Sequence, residues 1–158
     1  MEAMRLHPKG ATMSDLTAVI DRLELERTIF SVGRCLDERD FDGLRDLFAA
    51  DASVSTPGGD VRGHDALVEQ ARARHSNDEG IQHLITNLLI DLDGDRAAVR
   101  ANLLVTFAKT GVRDPAPFLI GEVYRFELER TSIGWRVTRL TSNPVWTLNL
   151  PPQLASRL

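Results

Sequence analysis

The chain has 158 residues, a formal net charge of −4 and 42% hydrophobic residues. That is one domain's length with enough apolar material for a core; it excludes a disordered chain, and the acidic balance argues against a nucleic-acid binder, which usually shows a basic face. No apolar run approaches the roughly 18 residues of a membrane span, so no membrane partner is expected. Cys35 is the single cysteine, so neither an intrachain disulfide nor a cysteine-rich zinc site can form, and a reducing, cytoplasmic setting is the expectation. Only Lys9 and Lys109 among the basic residues are lysines, which points to a GC-rich bacterial source. The possible catalysts are few: His7, His64, His75, His83, Tyr124 and Cys35.

Residues 1–12 lack periodicity, and no apolar stretch follows Arg5, so they read as a disordered extension or a remnant foreign to the domain. A single domain over residues 13–150 follows, with 151–158 as a tail. Residues 14–38 predict a long helix, capped by Ser14 or Asp15. Leu16, Ile20, Leu23, Phe30 and Asp37 fall near one stripe, and Leu25, Ile29, Val32 and Leu36 near the opposite one. A helix apolar on two sides is expected to be buried on both. Asp40 caps a second helix over 41–49 with Phe41, Leu44, Leu47 and Phe48 on its apolar side. Residues 52–63 read as a short hairpin through Pro57 and Gly58, and residues 64–76 as a third helix.

The remainder reads as antiparallel sheet. Residues 81–92 and 95–107 flank Asp93-Gly94, a strong hairpin signal. With those two as the turn, Asn87 faces Arg100, Ile85 faces Asn102 and His83 faces Leu104. Alternation then puts His83, Asn87, Arg100 and Asn102 on one mixed face, and Leu84, Leu88, Ile90, Val99, Ala101, Leu103 and Val105 on an apolar one. The apolar face must be covered, by helices or by another subunit. A loop over 108–117 and a hairpin of 118–130 with 135–148 complete an α+β chain.

An ordered series of motifs runs through these elements: Cys35 to Leu44, Leu47 to Ala52, Val61 to Leu67, His83-Leu-Ile-Thr-Asn87, Asp93 to Ala97, Gly121-x-x-Tyr124 and Gly134 to Val137. In order and spacing the series resembles the SnoaL-like family of the nuclear transport factor 2-like superfamily, in the branch of scytalone dehydratase, bile acid dehydratases and hexachlorocyclohexane dehydrochlorinase. The resemblance spans about residues 14–148. It implies a cone-shaped, curved antiparallel sheet wrapped by three helices around a pocket. It also implies a histidine base at His83, oriented by an aspartate at Asp37. A tyrosine or lysine often stands five residues before that aspartate; here the position is Val32. A basic residue recurs near Arg139.

Each candidate has a structural reading beside the functional one. His83 is either a general base near neutral pH or a core imidazole with one nitrogen satisfied. Asp37 is either its orienting carboxylate or a solvated acid at a helix end. Asn87 and Asn102 can donate to an oxyanion or line a wall. Arg100 can clamp a substrate or pair with a carboxylate. Tyr124 can donate into the pocket or pack, and Trp146 can line the pocket or sit in the core or an interface. No metal is expected, because the histidines lack ligand spacing, and no nucleotide fingerprint or other cofactor motif is visible.

Two functions follow. The first is a cofactor-independent lyase or isomerase, of dehydratase, isomerase or polyketide cyclase-like type, acting on a small hydrophobic molecule. The second is a non-catalytic ligand-binding or partner-subunit module. A homo-oligomer, dimer or trimer, is expected in either case.

Overall fold

A computed structural model of the chain describes residues 13–75, 79–113 and 117–152. The extension expected over residues 1–12, with His7, and residues 153–158 of the tail lie outside the described residues. Helix α1 spans Met13–Asp37. Leu25, Ile29, Val32 and Cys35 turn one stripe of it into the core. The stripe of Leu16, Ile20, Leu23 and Phe30 instead faces outward, with Leu23 60% exposed, which corrects the expectation of two buried sides. The reason is architectural: α1 lies along β3 and β6, one layer of sheet, and one layer covers one side of a helix.

The helix expected over 41–49 is a single 3-10 turn, Asp42–Asp46. The Asp40 carboxylate accepts the Gly43 amide at 3.2 Å, as a cap should. Gly43 then weakens the helix, and so short a segment does not sustain one alone. The Val137 N–H donates to the Leu47 carbonyl at 2.9 Å, drawing the chain into the sheet at Phe48. Among the described residues two α-helices therefore stand where three were expected.

The strands are β1 (Phe48–Thr56), β2 (Gly59–Arg62), β3 (Glu79–Asp93), β4 (Arg96–Lys109), β5 (Phe118–Thr131) and β6 (Gly134–Leu148), with α2 (His64–Arg74) between β2 and β3. They form one curved sheet in the order β2-β1-β6-β5-β4-β3. Every pairing is antiparallel except β1 with β6, so the sheet is mixed. Its inner face carries Val99, Ala101, Leu103 and Val105 from β4 and Tyr124, Phe126 and Leu128 from β5, joined with residues of α1 and α2 in one core. Each large side chain fully buried there, Trp135 and Phe126 among them, contributes roughly 1.5–3 kcal/mol.

The β3–β4 hairpin departs from its expected register in two ways. Its turn is Gly94-Asp95, since Asp93 pairs with Arg96. Gly94 has φ 57°, a left-handed value that glycine adopts without a Cβ penalty. A bulge then interrupts the ladder between Thr86 and Leu89. Asn87 has φ 53° there, and asparagine is among the few side chains that tolerate it. Moving the turn alone keeps the alternation. The bulge adds one residue to β3 and so reverses the facing of every residue before it. His83 thus pairs with Val105 and Ile85 with Leu103, on the inner face, while Leu84 pairs with Leu104 on the outer one.

A polar cluster ties α1 to the β5–β6 hairpin. Arg130 donates from both terminal nitrogens to the two oxygens of Asp21, each at 2.6 Å, and from Nε to Asp95 at 2.8 Å. Asp21 is buried, and Trp135 Nε1 donates to it at 3.4 Å. The guanidinium also stacks over the Trp135 ring, 4.5 Å from its centre.

Candidate active site

The site starts from a close approach of helix to strand. Gly33 is buried one turn before Asp37; a Cβ there would stand 3.1 Å from Ile85 Cδ1 and 3.5 Å from His83 Cβ. With no side chain at 33, α1 comes near enough to β3 for its last residue to reach the strand. Arg39, at φ 58°, then turns the chain away.

Asp37 takes two hydrogen bonds from one residue. The His83 backbone N–H lies 3.0 and 3.1 Å from its two oxygens, and His83 Nδ1 lies 2.6 Å from Oδ1. A carboxylate can only accept in this arrangement, so Nδ1 carries the proton and Nε2 the lone pair. The imidazole is 5% exposed and the carboxylate 25%. Ring orientation and tautomer are thereby fixed by one anchor, and the same carboxylate would stabilise an imidazolium formed on Nε2.

His83 lines a cavity of about 820 Å³ between the sheet and the helices. Apolar walls come from Val32, Leu36, Leu44, Phe48, Leu67, Val105 and Ile120, with Phe107 and Phe118 stacked at 4.3 Å. The polar groups in the lining are His75, His83, Glu122, Tyr124, Ser142, Thr56, Gln70 and Arg74. A shallower cleft on the α1 side is also lined by His83, with Asp37, Phe30 and Leu84. This layout, mostly apolar with a few convergent polar groups, is that of a small-molecule site.

Of the residues singled out in the sequence, Val32, His83 and Tyr124 line the cavity, and Asp37 stands behind His83. The others are elsewhere, which corrects the expected wall. Arg100 and Asn102 alternate with the buried Val99, Ala101 and Leu103 and so face outward. Asn87 is exposed at the bulge. Arg139 is exposed, opposite Glu127 on one side and Ser53 on the other. Trp146 is half-exposed and lies against Gly121, where any Cβ would meet its ring. Among the described residues no three His, Cys, Asp or Glu side chains are grouped as a metal site would need.

Two residues of the cavity have no role in the expected site, His75, which lies at the end of the helix expected over 64–76, and Glu122. His75, read as a helix end, turns inward: its Nδ1 donates to the Ala71 carbonyl, and its ring centre lies 6.3 Å from that of His83. Burial pushes its pKa below the usual 6.5, which keeps it neutral. Glu122 is half-buried, its Oε2 accepting from Ser142 Oγ at 2.7 Å; burial raises its carboxyl above the usual range against the opposing pull of Ser142. One signal for it existed. An acid alternates with Ile120, Tyr124 and Phe126 on an otherwise apolar strand face.

The profile of the SnoaL-like domain matches residues 17–141. The chain belongs to the SnoaL-like family. An uncharacterized protein, Rv2910c of Mycobacterium tuberculosis, is 27% identical over 130 residues, 81% of this chain and 88% of that one. A candidate scytalone dehydratase from Novosphingobium aromaticivorans superposes with a TM-score of 0.77 at 23% identity, covering 88% of this chain and 93% of that one. Hexachlorocyclohexane dehydrochlorinase LinA-type3 from Novosphingobium barchaimii gives 0.75 at 19% identity, covering 87% and 95%. At these identities the two structures establish a shared fold and nothing finer. No helix among the described residues is long and apolar enough to cross a membrane.

Proposed function

We propose that this SnoaL-like protein is a lyase or isomerase that needs no cofactor and acts on a small hydrophobic molecule, with His83 as general base and Asp37 as its positioning partner. The observation that carries the reading is the double acceptance by Asp37, which presets the imidazole with Nε2 as the basic nitrogen on a cavity wall. A base so placed removes a proton from carbon beside a carbonyl or a leaving group; elimination and double-bond migration both begin this way. Support also comes from the names of similar structures, a candidate dehydratase and a dehydrochlorinase. A panel of apolar β-hydroxy and β-halo ketones, followed for alkene formation, tests the proposal. The wild type converts at least one, and His83→Ala converts none while keeping its far-UV circular dichroism. Turnover by His83→Ala at the wild-type rate would sink it.

Val32 favours a second reading. It leaves an apolar wall where the family often has a tyrosine or lysine, as would suit a module that binds without reacting. Saturable binding of panel members with no conversion by the wild type selects that reading. For assembly we propose a homo-oligomer. Leu84, Leu104 and Gly121 pair in register across the outer sheet face, with Trp146 opposite Gly121, an apolar band a partner copy would cover. A monomer in sedimentation at micromolar concentration contradicts it.

A further inference from the structure

A base accounts for one proton of an elimination and leaves a second unplaced. The bond that breaks passes its electron pair to the leaving group, and hydroxide leaves slowly unless it is protonated as it departs. The wall across from His83 holds a carboxyl. Ile85 pairs with Leu103 and Leu103 with Glu122, so Glu122 stands two strands across and one row along from His83. At the usual strand spacing and rise their backbones lie about 12 Å apart on the sheet, room for one small organic molecule between the side chains. Both line the same cavity. The buried Ser142 hydroxyl fixes Glu122 by Oε2, and among the described residues it is the carboxyl's hydrogen-bond partner, leaving the other oxygen for a ligand. Among the described residues, the charged and titratable groups around it are His83 from β3, Arg74 from α2, His75 just after α2, and Tyr124 on its own strand. Burial favours the acid and outweighs Ser142, His83 and Arg74, which favour the carboxylate.

We propose that Glu122 is the catalytic acid of this site, giving its carboxyl proton to the departing oxygen as His83 takes a proton from the adjacent carbon. The inference rests on the base reading of His83. The C–H electron pair becomes the second bond of the new C=C. The C–O bond breaks with its pair going to oxygen, the Glu122 proton joins that oxygen, and water leaves. The proton on His83 then returns to the Glu122 carboxylate through solvent, so both groups are restored and no oxidant or reductant is consumed. The substrate class is thereby narrowed to apolar β-hydroxy carbonyl compounds, whose leaving group needs a proton.

Two probes separate this role from a structural one: the β-hydroxy ketone formed from benzaldehyde and acetone, and its ether with para-nitrophenol, whose aryloxide leaves without a proton. Glu122→Gln should slow loss of water from the first at least about 100-fold and loss of aryloxide from the second less than about 5-fold. The high-pH decline of kcat on the hydroxy ketone should vanish with it. His83→Ala should slow both. An equal fall on both probes in Glu122→Gln overturns the acid assignment and leaves the base reading standing; a wild-type rate for His83→Ala on the ether overturns the base reading. A third measurement needs no turnover. The carbon-13 carboxyl resonance of Glu122 should titrate above the ordinary glutamate range, and Ser142→Ala should raise the midpoint further. A midpoint within or below the ordinary range overturns the proposal whether or not either probe reacts.

Discussion

Helix α1 presents two aspartates to the sheet, and their fates differ because their partners differ. Asp21, near the middle of the helix, meets the guanidinium of Arg130, a charge that does not titrate in the physiological range. The pair is bidentate, backed by Trp135, and fastens the helix to the β5–β6 hairpin. Asp37, at the helix end, meets an imidazole whose charge can change. The first contact is a fixed strut. The second holds an imidazole in one orientation and one tautomer, with its other nitrogen left as the acceptor. One residue type on one helix thus serves cohesion in one place and, in the function proposed above, proton transfer in the other, and the arrangement of donors opposite each carboxylate decides which.

Replacing each aspartate should break one half of that contrast. Asp37→Asn is the strongest test. An amide cannot accept from both His83 N–H groups in the same way, so the tautomer is lost, and a drop in kcat of roughly 10³ is expected, about 4 kcal/mol of barrier. Steady-state kinetics on a converted substrate should show it with little change in melting temperature. Asp21→Ala should do the reverse. It leaves Arg130 beside Trp135 without its carboxylate, at about 3 kcal/mol, the low end for a broken buried pair because the Arg130 side chain is a third exposed. Differential scanning calorimetry should find the melting point down by roughly 6–12 °C, with kcat per folded molecule unchanged.

Acid should separate the contributions more gently. Burial lowers the pKa of His75, so the folded state binds fewer protons than the unfolded chain just below 6.5; stability is complete above that pH and declines as pH falls toward the lower folded value. The hydrogen bonds from Arg130 lower Asp21, so its contribution is present above 3.8 and is lost only as pH falls through its lower folded value. Melting temperatures against pH should therefore show two losses, the first removed in His75→Gln and the second in Asp21→Asn. Gly33→Ala is expected to have the smallest effect. The gain in helix propensity, about 1 kcal/mol, offsets a tight contact at Ile85, so stability barely moves. The Asp37–His83 contact lengthens, and kcat falls by about tenfold.

Much of the architecture was legible before any coordinates. Residues 14–38, 64–76 and the two long hairpins carry periodicity and turn signals strong enough to place α1, α2 and β3 to β6 within a few residues. The helix over 41–49 failed because Phe41, Leu44 and Phe48 suit either a helix or a strand entry, and the hydrogen bond to Val137 settles the matter from far along the chain. Among candidate site residues, His83 and Asp37 could be named from the motif order. Arg100 and Asn102 follow from hairpin register, which local pattern specifies poorly, and Arg139 from the family resemblance alone. His75, though among the possible catalysts, drew no role because a helix end reads as solvent until the sheet is folded against it.

By itself the sequence determined the α+β class, the order of the elements and the pairing of a helix-end acid with a strand histidine as the place to look. Only the tertiary structure decided which way that histidine points. A left-handed Asn87 inserts one residue into β3, and because side chains alternate with a period of two, that residue turns His83 from the outer face to the inner one. No local propensity at His83 records this. It follows from pairing with β4 and from Gly33 letting α1 close over the strand, both contacts between segments distant in the chain.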